Sequence, residues 1–282
     1  MNYCDSVLDL VGDTPLVKLN NIVEPGMATV LAKMENLNPT GSVKDRMAIH
    51  MVERAEQEGL LKPGATLVES TSGNTGLGLA MAAAAKGYRC IVTIPDKMSQ
   101  EKIDMLKAYG AEVIVTPTEL DHHHPDSYVE VAKRIAEQTP NALYIDQYNN
   151  MSNPEAHYLT TGPEIWEATD GLIDCFVTGL GTGGTISGAG RYLKEKAMAA
   201  GREVRVVGPD PYGSIYHDAF YKGEWEDPGM YRVEGIGHDF MVSTLDFSVI
   251  DEVVKLEHID DANGDLAVEG FTRASVKQDR LA

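Results

Sequence analysis

Little in this 282-residue chain points toward disulfides, membranes or nucleic acid. Its three cysteines, Cys4, Cys90 and Cys175, show no CxxC spacing and cannot all pair internally, a pattern that fits a reduced cytosol. Basic residues are scarce: 24 Lys and Arg against 43 Asp and Glu leave a formal net charge of −19. Such a charge would be repelled by a nucleic acid or an anionic membrane surface, and is equally compatible with salt adaptation or high solubility. No run of about eighteen apolar residues is present to cross a bilayer; the longest plain stretch is an alanine-rich segment at 77–85. The first ten residues lack a basic stretch followed by an apolar run, so no signal peptide is expected and a cytoplasmic protein is. H-E-x-x-H, G-x-S-x-G and Walker motifs are missing, as are repeats and low-complexity segments. His122, His123 and His124 are consecutive before Pro125. Neighbouring side chains on a loop do not converge on one ion, so an exposed turn is expected there and no metal site.

What remains is the composition of a globular protein, 43% hydrophobic and 24% charged, long enough to bury one large core or two smaller ones. Strand-like runs at 29–33, 66–69, 90–94, 112–115, 143–146, 175–178 and 204–208 alternate with helix-period segments. Those segments lie at 43–58, 76–86, 99–109, 127–137, 163–169 and 186–199. Repeated strand–helix–strand order predicts an α/β protein with largely parallel, twisted sheets. One complete βαβαβ set falls within 45–147 and a second begins near residue 173, which predicts two α/β domains with a cleft between them. Past about residue 254 the pattern fades. The segment 257–282 offers no clear strand and is expected to be a partly ordered tail.

Three segments could carry chemistry. Asn38-Pro-Thr-Gly-Ser-Val-Lys-Asp-Arg-Met-Ala48 reads as a turn running into a helix, with Ser42 and Asp45 spaced as a capping box. Lys44 then sits near the positive end of the helix dipole, which lowers its pKa and favours attack on a carbonyl to form an imine. The alternative is one more solvated lysine. Glu69-Ser-Thr-Ser-Gly-Asn-Thr-Gly76 joins a strand to a helix through hydroxyl and amide side chains, a receptor for a small carboxylate or an ordinary cap by Ser70 or Thr71. Gly179-Leu-Gly-Thr-Gly-Gly-Thr-Ile-Ser-Gly188 joins another strand and helix, where backbone N–H groups suit phosphate. Its first six residues also satisfy G-x-G-x-x-G, leaving open a dinucleotide site with Asp210 as the acidic partner, or a plain tight turn. Asp146-Gln-Tyr-Asn-Asn150 ends a strand and leads to a turn around Pro154.

Together and in this order, these motifs resemble the β-replacement branch of the fold-type II pyridoxal-phosphate enzymes, the cysteine synthase and cystathionine β-synthase family, whose fold is tryptophan synthase β-like. The resemblance covers roughly residues 5–256. It implies that Lys44 holds pyridoxal 5'-phosphate and is the catalytic base, that Asn74 bonds the cofactor's 3-hydroxyl, and that Gly181, Thr182, Gly183, Gly184 and Thr185 cradle its phosphate. Thr71, Ser72, Gly73, Thr75 and Gln147 match the site for the substrate carboxylate. The implied chemistry replaces the β-substituent of serine or O-acetylserine through an aminoacrylate, with homocysteine or sulfide as acceptor. Implied too are a large cofactor-binding domain (1–44 and 148–256), a smaller mobile domain (45–147), an atypical tail (257–282) and a homodimer. Val233-Glu-Gly-Ile-Gly-His-Asp-Phe240, Asp146-Gln-Tyr148 and Pro209-Asp-Pro-Tyr-Gly-Ser214 lean toward the cystathionine enzymes. No haem-binding leader or regulatory module is recognisable. The Gly-Ser-Ser-Gly-type turn expected after residue 254, whose hydroxyl meets the cofactor's ring nitrogen, has no counterpart in 257–282.

Overall fold

The computed structural model describes residues 3–21, 23–118, 120, 123–229, 233–256, 259–260 and 266–267. In chain order its strands and α-helices are β1 (Leu16–Lys18), β2 (Leu31–Lys33), α1 (Lys44–Gln57), β3 (Thr66–Ser70), α2 (Asn74–Lys86) and β4 (Arg89–Pro95). They continue as α3 (Gln100–Ala108), β5 (Glu112–Thr116), α4 (Tyr128–Gln138), β6 (Ala142–Tyr144), α5 (Ser152–Leu159) and α6 (Thr161–Ala168). The last are β7 (Cys175–Val177), α7 (Gly184–Ala199), β8 (Arg205–Pro211), α8 (Tyr216–Lys222) and β9 (Glu252–Leu256), then the two-residue strands β10 (Ile259–Asp260) and β11 (Leu266–Ala267). Two compact units result: Met1–Thr14 with Glu35–Ala156, and Pro15–Met34 with His157–Ala282.

The first unit is built on a four-stranded parallel sheet in the order β5-β4-β3-β6. β3 is buried along its whole length and β4 along all but its first residue, as expected of strands covered on both faces. Leu67, Val92 and Ile94 join Met47 and Met51 of α1, Leu79 of α2 and Leu106 of α3 in the main core. Val68 and Ile91, of opposite parity, meet Ala132 of α4 on the other face. The alternation of two residues per strand thus places α1, α2 and α3 on one side of the sheet and α4 on the other.

In the second unit β7, β8 and β9 run parallel with β8 central, and β1 pairs antiparallel with β2. Lys33 ties β2 to α6 through Glu164 at 2.6 Å. Central β8 carries Pro209 and Pro211, which the loss of an N–H normally bars from such a position. The ladder with β7 ends at Val177 opposite Val207. The chain after β7 stays alongside, the Thr178 and Leu180 N–H groups donating to the Val207 and Pro209 carbonyls at 3.2 and 3.1 Å, so the rung forgone there is the single one that a Pro209 N–H would have donated.

β1, α5, α8 and β9 were outside the sequence expectation, and the run at 29–33 shortens to Leu31–Lys33. The turn expected around Pro154 is the start of a helix. Pro154 occupies the first turn, where its missing N–H has no partner to lose, and Asn150 Oδ1 accepts the Ser152 N–H at 3.0 Å. Within the expected tail, β10 and β11 pair antiparallel. The rest of 257–282 lies outside the described residues, as does His122; His123 and His124 are exposed.

Candidate active site

Lys44 is the first residue of α1, as the turn sequence predicts, but the capping box does not form. The Ser42 hydroxyl accepts the Lys44 N–H at 3.2 Å, while the Asp45 carboxylate turns back to Thr40, accepting its backbone N–H at 2.7 Å and its hydroxyl proton. The turn is fixed from below. Arg46 donates to both Glu35 oxygens at 2.7 and 2.9 Å, Thr14 donates to Glu35 at 2.7 Å, and Asn38 donates at 2.8 Å. Burial alone would raise the Glu35 carboxyl, but Arg46, Thr14 and Asn38 outweigh it and hold it below its ordinary value. Lys44 itself is partly buried, and among the described residues no acidic group pairs with its amine. Burial lowers its pKa. The direction is the one expected from the sequence, and desolvation is its cause here.

The same unit holds the second motif. Thr71 and Thr75 are buried, whereas Ser72 and Asn74 are exposed. The Thr71 hydroxyl accepts the Gly73 N–H at 3.0 Å. Gly73, the N-cap of α2, adopts φ 133°, a conformation closed to most side chains. No partner among the described residues takes the backbone N–H groups of Asn74, Thr75 and Gly76, so α2 opens on unsatisfied donors, suited to an anion. Gln147 is buried beside this loop: Thr75 Oγ1 donates to its Oε1 at 2.6 Å, and its Nε2 donates to the Ser70 carbonyl at 2.9 Å. Thr75 and Gln147, more than seventy residues apart in sequence, are thus brought together.

The third motif belongs to the second unit. Gly183 caps α7 with φ 83°, and the N–H groups of Gly183, Gly184, Thr185 and Ile186 have no backbone partner among the described residues. A Cβ at Gly181 would stand 2.7 Å from the Gly235 carbonyl oxygen, and one at Gly183 would stand 2.5 Å from Leu245. The turn is held from several directions. Tyr216 donates its hydroxyl to the Gly181 carbonyl at 2.9 Å, Thr244 donates to the Thr182 carbonyl, and Thr185 lies 3.3 Å from the buried ring of His157. The segments 209–214 and 233–240 adjoin here, since the His238 N–H donates to Ser214 Oγ at 3.0 Å and the Gly237 N–H to the Leu180 carbonyl at 2.6 Å. Asp210, the acidic partner a dinucleotide would need, is buried and accepts the His217 N–H at 2.8 Å.

Sequence reasoning missed His157, Tyr216, the Glu35–Arg46 pair and Glu69. Glu69 left a trace: it is one charged residue in the strand Thr66-Leu-Val-Glu-Ser70, otherwise free of charge. Among the described residues no group of three His, Cys, Asp or Glu is arranged to hold a metal, and no helix is long and apolar enough to cross a membrane.

A family model described as "Pyridoxal-phosphate dependent enzyme" matches residues 7–272. Cystathionine beta-synthase of Apis mellifera is 49% identical over 91% of this chain and 50% of its own length. Cysteine synthase of Staphylococcus aureus is 40% identical over 99% of this chain and 84% of its own. The solved structure of an O-ureido-L-serine synthase superposes with a TM-score of 0.85 at 35% identity, covering all of this chain and 88% of that one. The chain spans about half the length of the cystathionine beta-synthases it matches. The α/β fold with parallel sheets read from the strand–helix alternation agrees with that neighbour. With the motifs at 38–48, 69–76 and 179–188 all inside the matched span, this chain belongs to the pyridoxal-phosphate dependent enzyme family.

Proposed function

We propose that this chain catalyses β-replacement on L-serine or O-acetyl-L-serine with a thiol acceptor, forming cystathionine from serine and homocysteine. The observation that carries the reading is the amine of Lys44 at the start of α1, partly buried, lowered in pKa and without an acidic partner among the described residues. The residues present fit pyridoxal phosphate. Lys44 offers a nucleophilic nitrogen for its carbonyl carbon, the exposed Asn74 carboxamide a partner for its 3-hydroxyl, and 181–185 a glycine turn with unsatisfied amides for its phosphate. When bound, the cofactor supplies an electron sink for the pair left at Cα.

The remaining work falls to the chain. Lys44 Nζ takes the proton from Cα. The β-hydroxyl of serine leaves as water, or the acetoxy group of O-acetylserine as acetate, with the thiol's proton as its balance. Lys44 returns its own proton to Cα once sulfur has bonded to Cβ. The α2 amides and the Ser72 hydroxyl hold the α-carboxylate, and Gln147, braced by Thr75, fixes its orientation. The segment 45–147 acts as the mobile domain that excludes water, and 1–44 with 148–256 as the cofactor-binding domain. Support for the cystathionine reaction comes from 233–240, whose packing on the glycine turn places His238 and the exposed Tyr212 in the same unit as the phosphate cradle. Cysteine formation from O-acetylserine and sulfide is the second reading, favoured by the cysteine synthase match across 84% of that enzyme. We further expect a cytoplasmic homodimer, with three free thiols in keeping and the assembly readable by light scattering.

Two donors and two thiols, assayed by product mass with added pyridoxal phosphate, test the reading. Cystathionine from serine and homocysteine is expected, falling by about 10²–10⁴-fold or more in Lys44→Ala. Cysteine as the sole product selects the second reading; cofactor binding without turnover of either donor overturns both.

A further inference from the structure

Where β6 ends, the ladder between β3 and β6 changes its chemistry. The Ile145 N–H donates to the Val68 carbonyl at 3.0 Å, so the next two parallel rungs would join the Ser70 N–H to the Ile145 carbonyl and the Gln147 N–H to the Ser70 carbonyl. Both rungs are replaced by bonds to side chains. Asp146 adopts φ 56°, and the chain turns so that the Gln147 N–H donates to Glu69 Oε2 at 3.2 Å. The vacated Ser70 carbonyl accepts from Gln147 Nε2 instead, at 2.9 Å, and the Ser70 N–H donates to Glu69 Oε1 at 2.9 Å. Glu69 is fully buried, so its two oxygens take two backbone donors from two segments that also carry the carboxylate-binding side chains. Burial, with the Asp146 charge adding, pushes this carboxyl well above its ordinary range.

We propose that Glu69 is a positioning residue: by standing in for a ladder rung, its carboxyl holds the Gln147 carboxamide toward Thr75 and the 71–75 loop, and so sets the site's grip on the substrate carboxylate. Without it, the Gln147 N–H closes onto the Ser70 carbonyl and the carboxamide is displaced from both partners. The inference rests on the β-replacement reading and deepens it.

The test uses cofactor-loaded wild type, Glu69→Gln, Gln147→Ala and the double variant, with affinity for L-serine read from the cofactor's absorbance in the absence of thiol. Gln at 69 keeps the volume but has one acceptor oxygen where two are used. A rise of about tenfold in the serine dissociation constant is expected in each single variant, with cofactor affinity and the thiol KM within about twofold of wild type. Because Glu69 acts through Gln147, the double variant should bind serine no worse than Gln147→Ala. Unchanged serine affinity in Glu69→Gln, or losses that multiply, overturns the proposal. Should Glu69→Gln not fold, amide exchange of the wild type decides: a Gln147 amide protected like those of β3 supports it, and a freely exchanging one overturns it. A wild type that binds no serine removes the underlying reading and this inference with it; serine binding unaltered by Glu69→Gln removes the inference alone.

Discussion

Gly183 decides whether the second unit can offer an anion site. Its φ of 83° is reached without strain only by glycine, and a Cβ there would meet the Leu245 backbone at 2.5 Å. Gly183→Ala is therefore expected to cost about 1–3 kcal/mol from overpacking, seen as a lower midpoint of thermal unfolding, and to weaken pyridoxal-phosphate binding. An unaltered midpoint with unaltered cofactor affinity would contradict the assigned role. Individual residues were legible where local geometry demands one type: the glycines follow from a tight strand–helix turn. Leu245 and Gly235, which enforce them, lie more than fifty residues away, and nothing in the motif names them. The capping box failed for the converse reason. Ser42 and Asp45 have the right spacing, but Thr40 offers Asp45 two donors and wins the carboxylate.

At the scale of elements, the start of α1 is held by the Glu35–Arg46 pair more than by any cap. The Arg46 side chain is almost wholly buried, and breaking such a pair costs about 3–5 kcal/mol because it strands a charge. Arg46→Ala should lower the unfolding midpoint and, by loosening the turn before Lys44, weaken cofactor capture as well. Glu35→Gln gives the sign. The Glu35 carboxyl is lowered in the folded state from 4.5, so its stabilisation is full above that pH and is lost as pH falls through the folded value. The stability gap between wild type and Glu35→Gln, followed by urea unfolding, should narrow on acidification below 4.5; a gap that widens would refute the assignment. Long, strongly periodic elements were readable from the sequence, α1, α2, α7 and the core strands among them. β1 has three residues and α8 seven, too few to show a period, and Pro154 read as a breaker when it was a permitted first-turn residue.

For the whole molecule, composition says little about function and the motifs say much. A net charge of −19 argues against polyanionic partners, while the order of three motifs over about 150 residues points to one cofactor. The make-up of the two compact units is not marked by composition: 15–34 belongs to the second and 35–44 to the first, with no change of residue type where the chain passes between them. The central claim is that the chain takes pyridoxal phosphate covalently on one amine. The direct measurement is incubation with the cofactor near neutral pH, borohydride reduction and peptide mass mapping. The account predicts a phosphopyridoxyl group on Lys44, absent from Lys44→Ala; label spread evenly over the exposed lysines, or none at Lys44, would contradict it.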